Sequence, residues 1–199
     1  MTGPRLILAS ASPRRAELLR GLGLSVEVAP ADVDETYLPE ETPEAHVERL
    51  ARAKAEAVLG RVGSGLVVGG DTVVVDGDRV LGKPRSREEA VAMLLALAGG
   101  EHRVFSGIAL AGEGETLSAV GRAAVHFRPF AVADAEAYVA TGEPMDKAGA
   151  YGIQGLGAAL VEGIRGDYYT VVGFPIARFL QLLGAKGWRY AFGRLEPVG

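Results

Sequence analysis

Cysteine is absent from this 199-residue chain, which removes disulfide staples, thiol nucleophiles and thiolate metal sites together. Any metal must be held by oxygen ligands or by His46, His102 and His126, and these histidines have neither metal-ligand spacing nor a convincing nucleophile partner. An excess of positive charge is also lacking. Twenty-one basic against 25 acidic side chains leave a net charge of −4, so no global field holds duplex nucleic acid or an anionic membrane, and any anion site must be local. No apolar run approaches the ~18 residues of a membrane span. Ala9-Ser10-Ala11 imitates a cleavage site, but the apolar stretch from Leu6 to Ala9 is far shorter than the ~7–15 residues of a signal-peptide core. The expectation is a soluble, cytoplasmic protein. Asparagine is missing, glutamine occurs only at Gln154 and Gln181, and arginine outnumbers lysine 17 to 4. Each lysine and amide that is kept therefore carries more weight.

What is present is a globular composition, 48% hydrophobic and 23% charged, which excludes disorder and suits one domain over residues 1–199 with two lobes. Strand-like and helix-like segments alternate. A short apolar strand at 5–9 leads to a helix from Pro13 to about Leu22, with Ser12 placed to cap it and Gly21 and Gly23 to stop it. A strand at 25–29, an acidic loop and a helix from Thr42-Pro43 to about Arg61 follow. The apolar run at 66–75, broken by Gly69-Gly70-Asp71, reads as a central strand with an acid embedded in it. Asp76-Gly77 marks a hairpin, and Ser86-Arg87-Glu88-Glu89 a capping box opening a helix to about Ala98. Residues 102–111 and 116–128 should form a long antiparallel pair, followed by a helix near 133–141, a glycine-dense stretch at 149–157, a strand near 158–164 and a helix around 175–185. The pattern predicts an α/β protein with a mixed sheet.

Chemistry concentrates in a few places. At Ser10-Ala11-Ser12-Pro13-Arg14-Arg15 a strand hands over to a helix, whose free amides and dipole attract anions. Arg14 and Arg15 have the wrong sign for that first turn, by ~0.3–1 kcal/mol each, and a bound phosphate would reverse the penalty. The bland alternative is a serine cap with solvated arginines. Asp71 interrupts an otherwise apolar stretch, and an unpaired buried carboxylate is expensive, so it needs a cation, hydrogen-bond donors or an opening to solvent. A plain Gly-Gly-Asp turn is the alternative. Lys54, Lys83 and Lys147 are flexible point charges suited to phosphate oxygens, although Lys54 alone reads equally as a solvated helix residue. Glu35 in Asp32-Val33-Asp34-Glu35 could join Asp71 in holding a hard divalent ion, or belong to a merely acidic loop. Gly82-Lys83-Pro84 lacks the Ser/Thr of a phosphate-binding P-loop. Gly155-Leu156-Gly157-Ala158-Ala159-Leu160 lacks the last glycine of a dinucleotide fingerprint and is assigned a structural role.

Four blocks in register, LILASASPRRAELL near the start, GGDTVV at 69–74, LGKP at 81–84 and DKAGAYGIQG at 146–155, resemble the Maf family of nucleoside triphosphate pyrophosphatases over almost the whole chain. The resemblance implies an elongated mixed sheet flanked by helices, with a central cleft between two lobes, like inosine triphosphate pyrophosphatases. It implies a cytoplasmic enzyme, often a homodimer, that cleaves a nucleoside triphosphate to the monophosphate and pyrophosphate with a divalent cation, Mg2+ or Mn2+. Carried over by position, the proton acceptor is Asp71, and Ser10, Ser12, Arg14, Arg15, Lys54 and Lys83 bind substrate, with Glu35 and Asp71 toward the metal. Specificity positions fall on Arg14, Thr72 and Gln154, the set of the branch acting on dTTP and UTP. A carboxamide suits the imide edge of uracil or thymine because it both donates and accepts. Alternatives are a pyrophosphatase for 7-methyl-GTP or a modified pyrimidine triphosphate, and a nucleotide-binding regulator of septum formation.

Overall fold

Leu6-Ile7-Leu8 is an uninterrupted apolar triplet, and in the computed structural model, described over residues 3–198, it forms the fully buried strand β1 (Leu6–Leu8). The chain is organised as two compact units: one comprises the chain up to Asp71, Ser106–Gly121 and the chain from Gly173, the other Thr72–Phe105 and Arg122–Val172. In the first unit, β1 is followed by α1 (Pro13–Gly21), β2 (Glu27–Val28) and α2 (Pro43–Val62), and β1 pairs in parallel with both β2 and β3 (Leu66–Asp76). The sheet order continues through β5 (Glu101–Ala111) to β6 (Leu117–Phe127). Alternation along these strands builds two cores. Leu6, Leu8, Leu66, Val68, Ile108 and Leu110 meet α1 and the C-terminal helix α6 (Ile176–Ala185), while Ile7, Val67 and Ala109 meet Ala51, Ala55 and Val58 of α2.

In the second unit, β4 (Arg79–Leu81) pairs antiparallel with the end of β3, and β7 (Val161–Gly166) antiparallel with β6. Helix α3 (Arg87–Leu97) packs on α4 (Val132–Ala140), burying Leu94, Leu97, Ala135 and Val139. Three 3-10 turns, Glu143–Asp146, Ala148–Ala150 and Leu156–Leu160, carry the glycine-dense stretch, and α5 (Tyr168–Val172) closes the unit. His102 lies here, wholly buried with its ring edge-on to Phe127 and Tyr151 and its Nε2 2.8 Å from the Tyr151 hydroxyl. Burial, and to a smaller degree His126, pulls it down to about 4, so it is a neutral core residue.

The α/β architecture with a mixed sheet is as the alternation predicts. Strand β3 runs through Gly69-Gly70-Asp71 without a break, as the central-strand reading has it and the turn alternative does not. Other local details differ. Residues expected to start a strand at 158 form a 3-10 turn, and the strand begins at Val161. Helix α5 and the hairpin of β8 (Trp188–Tyr190) with β9 (Leu195–Pro197) have no counterpart in the sequence pattern. Ser86 caps α3 by accepting from the Glu89 amide at 3.2 Å, whereas Glu89 reaches one residue further back, to the Arg85 amide at 2.7 Å.

Candidate active site

Two glycines, Gly69 in β3 and Gly107 in β5, explain why the sheet and α2 meet so closely. A Cβ on Gly69 would stand 2.0 Å from the Ala51 carbonyl oxygen, and one on Gly107 2.1 Å from that of Val47, so the helix backbone lies directly on both strands. This approach lowers Lys54 onto the sheet. Its buried ammonium donates to Asp71 Oδ1 at 2.7 Å and stands 2.6 Å from Glu35 Oε1. Asp71 retains 13% side-chain exposure and Glu35 62%, so one carboxylate faces mostly protein and the other mostly solvent.

The neighbouring Gly70 leaves room for a guanidinium. Its Cβ would sit 3.2 Å from Arg15 Nε, so the Arg15 head lies against the bare β3 backbone. Arg15 donates to the Gly173 carbonyl at 2.8 Å and to Ser10 Oγ at 2.9 Å. Burial pulls its proton affinity below the usual range, opposed by Asp71 and Glu35 and reinforced by Arg14. Arginine starts so high that it stays charged. Ser10 is buried and its hydroxyl also accepts from the Ser12 amide at 3.2 Å, so the group it has left to give is its own proton.

Ser12 occupies the N-cap of α1, but its hydroxyl makes no capping bond, contrary to expectation. The first turn contains no acidic residue and carries Arg14 and Arg15 behind Pro13. The helix therefore has no serine-hydroxyl cap and carries two cationic residues in its first turn, the arrangement that favours an anion.

The loop bearing Glu35 is anchored by residues that the sequence reading missed. Tyr37 stacks on His46 with ring centroids 3.5 Å apart and 6° between planes. His46 Nδ1 lies 2.9 Å from Glu41, and Arg49 donates to both Glu41 oxygens at 2.6 and 2.8 Å and to the Thr36 carbonyl at 3.0 Å. The Arg49 bonds, helped by His46 and the Leu38 amide against the effect of burial, hold Glu41 down to about 2. Burial, with the charges of Asp71 and Glu41, pushes Tyr37 up to about 12. The signal available in sequence was the spacing of His46 and Arg49, which puts both on one face of α2.

The structure thus brings together Ser10, Arg15, Glu35, Lys54 and Asp71 in the first unit. Thr72 follows Asp71 on β3 and is half-buried. In the second unit Lys83 is exposed beyond β4, and the Gly149 amide donates to the Gly82 carbonyl at 3.1 Å, which fastens the 146–149 segment to the 81–84 segment. Gly149 has φ +70°, and a Cβ there would meet Val74 side-chain atoms at 3.0–3.2 Å. Gln154 is exposed in the loop that follows.

Two carboxylate oxygens converging on one ammonium form a donor set that fits a hard divalent cation. Among the described residues there is no cluster of three or more His, Asp or Glu side chains for a metal. No described helix is long and apolar enough to cross a membrane.

Residues 5–186 match a family model described as Maf-like protein. The dTTP/UTP pyrophosphatase of Moorella thermoacetica is 51% identical over 185 residues, covering 92% of this chain and 95% of that one. That of Symbiobacterium thermophilum is 50% identical over 184 residues, again covering 92% and 95%. Among solved structures, the Staphylococcus aureus Ham1 protein superposes with a TM-score of 0.45 at 19% identity, over 62% of this chain and 71% of that chain.

Proposed function

Because this chain belongs to the Maf-like protein family, we propose that it is a nucleoside triphosphate pyrophosphatase, hydrolysing dTTP and UTP to the nucleoside monophosphate and pyrophosphate. The observation that carries the reading is the meeting of Lys54 with Asp71 and Glu35 beside the Arg15–Ser10 pair.

The polyphosphate binds at the N-terminus of α1, where the helix dipole, Arg14, Arg15 and the Ser10 hydroxyl attract it. Lys54 and Lys83 add point charges toward phosphate oxygens. Phosphate competes with the carboxylates for Lys54. As the ammonium turns to phosphate, Asp71 is released from its ion pair and can receive a proton from the attacking water. The water oxygen forms a bond to the α-phosphorus, the bond from that phosphorus to the bridging oxygen breaks, and pyrophosphate leaves with the electron pair. Arg14, Arg15 and Lys83 offset the charge that gathers on the leaving group. Glu35 and Asp71 would hold a Mg2+ or Mn2+ ion, which when bound screens phosphate charge and acidifies water. Arg14, Thr72 and Gln154 select the base, with the Gln154 carboxamide matching the imide edge of uracil or thymine. A single domain over 1–199, a homodimer and a cytoplasmic location complete the reading and rest on the family resemblance.

The test is a pyrophosphate-release screen over dTTP, UTP, CTP, GTP and 7-methyl-GTP with Mg2+, Mn2+ or a chelator. Release from dTTP and UTP that stops with chelator is expected, and Asp71→Asn should lower it at least about a hundredfold with the fold unchanged. Preference for 7-methyl-GTP, or stoichiometric binding of nucleotide without release, would overturn the assignment.

A further inference from the structure

We infer that Glu143 is a positioning residue for base selection, its carboxylate being the clip that shapes the loop presenting Gln154; this rests on the reading of Gln154 as the base-edge contact. Glu143 opens the 3-10 turn Glu143–Asp146, directly after Gly142 in a left-handed conformation. Its Oε1 accepts from the Tyr138 hydroxyl at 2.8 Å and from the Gly157 amide at 3.1 Å, and its Oε2 accepts from the Leu156 amide at 2.8 Å. The Tyr138 oxygen in turn accepts from the Gly152 amide at 3.0 Å. Amides on both sides of Gln154 are therefore gathered onto one carboxylate–phenol pair, while Gln154 itself stays exposed.

The glycines fit this arrangement. A Cβ on Gly155 would lie 2.4 Å from Glu143 Oε2, and one on Gly157 2.4 Å from the Tyr138 hydroxyl. The sequence assigns these positions a structural role in place of a dinucleotide fingerprint, and the structure shows what it is: the Glu143 carboxylate and the Tyr138 hydroxyl occupy the inside of the loop. The base of the clip is fixed as well, since Lys147 Nζ donates to the Glu143 carbonyl at 2.6 Å. Burial pushes the Glu143 carboxyl up, but the Leu156, Tyr138 and Gly157 bonds outweigh it and hold the group below its ordinary value.

Three donors converge on two oxygens, and only an acceptor-only group satisfies all of them. Glu143→Gln keeps the size but turns an NH2 toward at least one donor, so part of the loop must come loose. Tyr138→Phe removes the hydroxyl's bond to Glu143 and its link to Gly152 but leaves the Leu156 and Gly157 amides on the carboxylate, and is the milder variant. The experiment combines amide hydrogen exchange with kcat/KM for UTP and CTP, which share a tail and differ at the base edge. Exchange at Leu156 and Gly157 should quicken in Glu143→Gln, and at Gly152 in Tyr138→Phe. The UTP-over-CTP ratio in Glu143→Gln should fall about tenfold, as it does in Gln154→Ala, and the double variant should fall no further than either. Unchanged exchange in both variants, or a preserved ratio despite faster exchange, overturns the role of Glu143. A ratio untouched by Gln154→Ala instead removes the base-edge reading of Gln154 and, with it, the selectivity role of the clip.

Discussion

Replacing Lys54 by methionine removes the ammonium while keeping an unbranched side chain of similar length in its buried place. Two carboxylates lose their partner, and they do not lose equally. Glu35 is 62% exposed, so its half of the bridge is worth at most about 1 kcal/mol. Asp71 is only 13% exposed, and removing one partner of a buried pair typically costs about 3–5 kcal/mol. Because Asp71 keeps some exposure, the expected loss is about 2–4 kcal/mol near neutrality, or about 5–12 °C in Tm for a chain of this size. Thermal unfolding of the parent, Lys54→Met and Lys54→Met/Asp71→Asn reads this out, with the double variant regaining most of the loss. An unchanged Tm in Lys54→Met, or no recovery in the double variant, would refute the ion-pair reasoning.

Gly69→Ala would drive a methyl to within 2.0 Å of the Ala51 carbonyl, so denaturant titration should show a loss above about 3 kcal/mol. Gly60→Ala, in α2 with no atom from outside the local helix backbone within 4 Å of the added carbon, should instead gain up to about 1 kcal/mol. Glu41 is held down to about 2 by Arg49, so its stabilising contribution is complete above about pH 5 and is lost as pH falls through the folded value. Glu41→Gln should thus lower stability at neutral pH and flatten the acid limb of a pH–stability curve.

The order of elements was legible because each carries its own local signal: the Thr42-Pro43 helix start, the Ser86 cap and the alternation at 102–111. Gly69-Gly70 left a turn open as the alternative to a continuous strand, and the structure closes it for a physical reason. Glycine in a strand weakens it unless another backbone or a guanidinium needs the space, and here α2 takes one position and Arg15 the other. That close approach is tertiary, so the meeting of Glu35 and Asp71 on Lys54 had no expression in local spacing, although each residue stood out singly. The Tyr37–His46–Glu41–Arg49 anchor and the Glu143 clip were hidden for the same cause, since their bonds join side chains to backbone across loops. The hairpin of β8 and β9 was missed because each strand has only three residues, too few for alternation to register.

The central claim is that water attacks the α-phosphorus at the Asp71–Lys54–Glu35 site. Turning over UTP in water enriched in the heavy oxygen isotope, with mass analysis of both products, tests it most directly. The account predicts heavy oxygen in UMP and none in pyrophosphate; label in pyrophosphate, or release of orthophosphate, would contradict it.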